Sequence, residues 1–109
     1  AKNDRCTKLI VTVGGIKRVI LAMENHVANA NVQKKACDAL CNFALNNQNG
    51  RLIRRAGGIE KIMMAIEYHV ADVDVQKSAC AALKSIASDK KSRKQIQKAS
   101  GKKYLEENM

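Results

Sequence analysis

The chain has 109 residues, 20 Lys or Arg against 10 Asp or Glu, and a formal charge of +10. That length suits one small domain with a real core, which aliphatic residues, alanine and cysteine must build, since there is no Trp, one Phe and two Tyr. No run approaches the ~20 apolar residues of a membrane span, and the opening AKNDRCTKLI lacks the charged-then-apolar layout of a secretory signal.

In chain order, Lys8, Leu9, Ile10 and Val13 open a short helix that Gly14-Gly15 is expected to end, because glycine tolerates the backbone conformations that stop a helix and turn the chain. A second helix follows, with Ile16, Val19, Ile20 and Met23 on one face. Asn29 and Asn31 then offer side-chain oxygens to unpaired amides, a helix-start signal. A longer third helix carries VQKKACDALCNFA. The sequence then begins again. Asn46 stands where the next short helix is capped, near Arg51–Ala56, and Gly57-Gly58 stops it. Ile59, Ile62, Met63 and Ile66 form the second-helix face up to His69, and Asp72 and Asp74 repeat the cap. The third helix, about Val75–Ser88, turns Val75, Ala79, Cys80, Ala82, Leu83, Ile86 and Ala87 inward. Asp89 caps the opening of a third unit that runs to Gly101.

HVANANVQKKAC from His26 thus returns as HVADVDVQKSAC from His69, and residues 14–46 match residues 57–89 at sixteen of 33 positions. Average composition would give about one match in sixteen. A period of 43 lies in the range of helical solenoids, whose units cannot bury their apolar faces alone and must stack. Two units and a fraction fall below the usual minimum of about three, and the chain does not start with Met. A fragment of a longer array, or association through exposed ends, is the expectation.

The wording RLIRRAGGIEKIMMAI, with VQKSACAALKSIA and VQKKACDALCNFA, closely resembles the armadillo repeat over almost the whole chain up to Gly101. That family often has a proline after the glycine pair, where Lys17 and Glu60 stand here. After Gly101 a tail at 102–109 loses the repeat wording, and Tyr104 and Leu105 are expected to fold over the last repeat. The resemblance implies an all-α, armadillo-like right-handed solenoid, within a single domain over 1–109: repeats at 3–45 and 46–88 and the first helix of a third at 89–101. It also implies that the third helices line a concave groove. Lys35, Asp38 and Asn42 occupy its positions in the first copy and Ser78, Ala81, Lys84 and Ser85 in the second. In the importin-α branch, peptides are read by a Trp and an Asn one turn apart. Asn42 matches the Asn, but Asp38 and Ala81 stand at the Trp places and Ser85 at the second Asn place, so that peptide site is absent.

The chemistry-bearing residues point away from catalysis. His26 and His69 follow the second helix in both copies, where a His caps carbonyls and meets the helix dipole, and catalysis rarely needs its base once per repeat. Cys37 and Cys41 lie one turn apart, but no second Cys pair completes a zinc site and Lys84 replaces Cys41 in the next copy. Buried free thiols in a reducing compartment are expected, hence an intracellular, cytoplasmic or nuclear location. No triad, dinucleotide or P-loop wording appears, and no cofactor or metal is expected. Charge is the strongest functional lead. Residues 90–103 hold seven basic side chains and no acid. Lys90, Lys91, Lys94 and Lys98 there, with Arg51, Arg54 and Arg55 in the preceding first helix, form rows suited to an acidic partner. The expected function is a non-catalytic protein-interaction scaffold for acidic or extended segments. The alternatives are self-stacking through exposed ends and non-specific nucleic-acid binding by the basic tract, the latter weakened by the lack of stacking aromatics.

Overall fold

The computed structural model describes residues 2–98, with the side chains of residues 6–46 and 48–98. The end of the third unit and the tail at 102–109 lie outside them. Every regular element described is a helix: α1 Lys2–Asn25, α2 Ala30–Ala44, α3 Asn47–Arg55, α4 Gly58–Tyr68, α5 Val73–Ile86 and α6 over 90–98.

The helix starts follow local chemistry. Asn29 and Asp72 adopt extended backbone, and their side-chain oxygens accept the amides of Val32 and Val75, each at 3.1 Å. Asn46 accepts from Gln48 at 3.1 Å and Asp89 from Ser92 at 2.6 Å, so both first helices after a third helix are capped. Capped at Asn46, α3 begins a turn earlier than the apolar pattern alone indicates.

The core joins one stripe from each unit. Ile16, Ile20, Met23, Cys37, Leu40 and Ala44 from the first copy meet Ile53, Ile59, Ile62, Val75, Ala79, Ala82 and Ile86 from the second. The two third helices, α2 and α5, form the most extensive helix pair. Alanines along that seam let them approach closely. Cross-copy polar links add to it. Lys61 Nζ lies 3.3 Å from a Glu24 carboxylate oxygen. The His69 ring donates from Nε2 to the Val27 carbonyl at 2.7 Å.

Two expectations are corrected. Gly14-Gly15 does not end a helix: α1 runs unbroken for 24 residues through both glycines. In the second copy Gly57 has φ of +87° and terminates α3, its amide donating to the Arg54 carbonyl at 3.1 Å. The bend holds because Ile53 is buried against Gly58, leaving no room for a side chain there: a Cβ on Gly58 would sit 2.3 Å from Ile53 Cγ2. Its equivalent Ile10 is 72 % exposed, as the described residues offer residues 2–13 no earlier unit to fold against. Continuing the helix keeps its hydrogen bonds, and about 1 kcal/mol per glycine does not stop it.

The second correction concerns Cys80, expected inside and found exposed, while its counterpart Cys37 is fully buried. α5 covers α2, but no described helix takes the same place over α5. Cys41 is half-buried and Cys6 exposed, so buried thiols describe Cys37 alone.

Candidate functional site

Among the expected groove residues, Lys35, Asp38, Asn42, Ala81 and Lys84 are exposed. Ser78 is buried and so is not offered to a partner. Ser85 is half-buried, and its Oγ lies 3.3 Å from Cys41 Sγ, which ties α5 to α2. Asp38 pairs with Lys34 at 3.8 Å, an exposed i,i+4 contact of little energetic weight. The resulting surface is mixed in charge and lines none of the cavities described below.

The basic residues are brought together more decisively. Arg51, Arg54 and Arg55 of α3 and Lys90 and Lys91 at the start of α6 surround one slot of about 310 Å³ with Asp89. Arg51 Nε is 3.7 Å from an Asp89 carboxylate oxygen, a loose pair with the arginine side chain 68 % exposed. The Ser92 backbone amide holds the Asp89 carboxyl below the usual carboxylate range, and Arg54 and Arg51 add to that. Arg54 is half-buried, and its Nε is buried with no hydrogen-bond partner among the described residues. Lys98 is not part of this cluster: it borders a different cavity, with Ile59, Met63 and Gln95, between α4 and α6. Lys94 is exposed on α6 and borders neither.

The slots recur with the repeat. A cavity of about 760 Å³ between α1 and the start of α3 is lined by Lys8, Val11, Thr12, Asn46 and Gln48. Adding 43 to those numbers gives Arg51, Arg54, Arg55, Asp89 and Lys91. The same place between successive first helices is nearly neutral in one copy and strongly cationic in the next.

Residue composition and spacing did not single out Gln33 and Gln76. Gln33 is buried, and its Nε2 donates to the carbonyls of Met23 at 3.1 Å and His26 at 2.8 Å. Gln76 repeats both bonds, to Ile66 at 3.0 Å and His69 at 2.9 Å. Each glutamine closes the carbonyl end of the preceding helix. Its recurrence in both copies of VQK was the available signal. The histidine contribution differs from the expected cap, since His69 reaches across to the other copy while His26 is exposed. Burial pushes the Cys37 thiol up to about 12, with a smaller push from Asp38.

No family model, curated protein or solved structure matches the chain. Among the described residues, no group of three or more His, Cys, Asp or Glu is placed to hold a metal ion, and no helix is long and apolar enough to cross a membrane.

Proposed function

We propose that this chain is a non-catalytic protein-interaction scaffold built as an armadillo-like solenoid, and that it takes acidic partner segments at the cationic slot between α3 and α6. The solenoid reading rests on the 43-residue repeat, on the packing of α2 against α5 and on the glutamine closures that recur in both copies. The partner reading rests on one observation: five cationic side chains from two helices converge on one slot beside Asp89. Stacked helices preset that surface, so little ordering cost remains on binding.

The test is titration of the chain with a labelled acidic peptide and its basic counterpart, at low and high salt. The acidic peptide binds, the basic one does not, and added salt weakens the complex. Arg51→Glu with Arg55→Glu lowers affinity about tenfold or more. Equal binding of both peptides, or no effect of the double variant, removes the slot from the reading.

A second reading, self-association through repeat ends, is favoured by exposed apolar residues at both ends. Leu9, Ile10 and Val11 lie on α1, and Met64, Tyr68 and Val73 lie on α4 and α5. Mass that rises with concentration in light scattering at both salts supports it, and a monomer throughout excludes it.

A further inference from the structure

We infer that the slot between α3 and α6 is a phosphate site that recognises a phosphorylated side chain within an extended acidic peptide. This rests on the acidic-partner reading and narrows it to one chemical group.

The internal repeat supplies the control. Charge at this place is not demanded by the fold, because the equivalent slot is built with Val11 where Arg54 stands, Thr12 where Arg55 stands and Gln48 where Lys91 stands. Massing cations costs self-repulsion, which a bound anion offsets. Among the described residues the one carboxylate lining the slot, Asp89, is already engaged by the Ser92 amide and meets Arg51 only at 3.7 Å. A partner Asp or Glu brings one negative charge to the five cations. A phosphomonoester brings about two, with three acceptor oxygens that donors from both helices can share. Three of the cations are arginines, whose planar forks fit phosphate oxygens in pairs. Arg54 Nε is buried without a hydrogen-bond partner among the described residues, so its donor is unsatisfied beside the slot.

The shape and lining favour a peptide as the carrier. At about 310 Å³ the slot sits at the small end of ligand pockets, room for one group rather than a track. Among the described residues no aromatic side chain lines it for base stacking, and no apolar one lines it for a lipid chain.

The experiment uses the whole chain and three fluorescein-labelled peptides identical except for phosphoserine, Glu or Ser at one position, read by anisotropy. The phosphopeptide binds about tenfold or more tighter than the Glu peptide, and inorganic phosphate competes with it. Arg51→Gln with Arg54→Gln abolishes the preference, whereas Lys8→Gln in the equivalent slot keeps it, with unchanged helical circular dichroism. If the double variant misfolds, Arg54→Lys keeps the charge, removes the fork and is expected to lose most of the preference. Equal affinity for the phospho and Glu peptides overturns the phosphate site but leaves the acidic partner standing. Binding of none of the peptides overturns both. Tighter binding of a single-stranded oligonucleotide or a phosphoinositide vesicle, lost in the same variants, overturns the peptide as carrier.

Discussion

The two copies spell Gly-Gly-Ile at the same place in the repeat, yet one continues a helix there and the other turns. The difference follows from what each short helix has to pack on. In the second copy Ile53 enters the core and rests against Gly58, which fixes the bend; in the first, Ile10 is exposed and the helix continues unbroken. Cys37 and Cys80 diverge for the same reason, one beneath the next unit and one on an uncovered face. In a repeat protein the unit's geometry depends on the adjacent unit as well as on its own sequence.

Thiol labelling should split the copies most widely. At mildly alkaline pH, iodoacetamide followed by mass spectrometry should find Cys80 alkylated about a hundredfold or more faster than Cys37, which must wait for opening and is held neutral by burial. Comparable rates would mean that the α2–α5 seam opens freely. Next in size is Gly58→Ala, where the new methyl collides with Ile53 and should cost about 1–3 kcal/mol in urea unfolding. A neutral result would show that α4 and α3 can slide apart.

The preceding glycines give the sharpest contrast, because one substitution should have opposite signs. Gly57→Ala forces a side chain into positive φ and should cost about 1 kcal/mol. Gly14→Ala, in mid-helix with open space around its Cβ, should add about 0.5–1 kcal/mol. If Gly14→Ala also destabilises, the first copy bends in solution as the second does. The smallest effect concerns the caps. Asp89 has a lowered folded pKa, so its contribution is complete above the ordinary carboxylate range and is lost as pH falls through the folded value. Asp89→Asn should flatten that part of the acid-side stability profile, whereas Asn46, the equivalent cap, carries no such dependence.

Much of this was legible in the chain. The repeat, the caps at Asn29, Asp72, Asn46 and Asp89, and the apolar stripes through Ile16–Met23 and Ile59–Ile62 come from local hydrogen bonding and helical periodicity, which neighbouring residues alone specify. The basic rows were visible too, but not their division. Lys90 and Lys91 join the arginines while Lys98 borders another cavity, because that depends on how α6 sits beside α3 and α4. The glutamine closures were missed because a Gln inside an apolar stripe has no local signature; its partners are carbonyls 7 and 10 residues back, across a turn.

The sequence by itself determined the period, the caps and the apolar stripes, since these follow from backbone hydrogen bonding and side-chain spacing within each unit. Tertiary structure decided which glycine pair bends, which repeated cysteine is buried, and which cations share a slot. Each of those depends on contact between units, and identical residues meet different neighbours in the two copies.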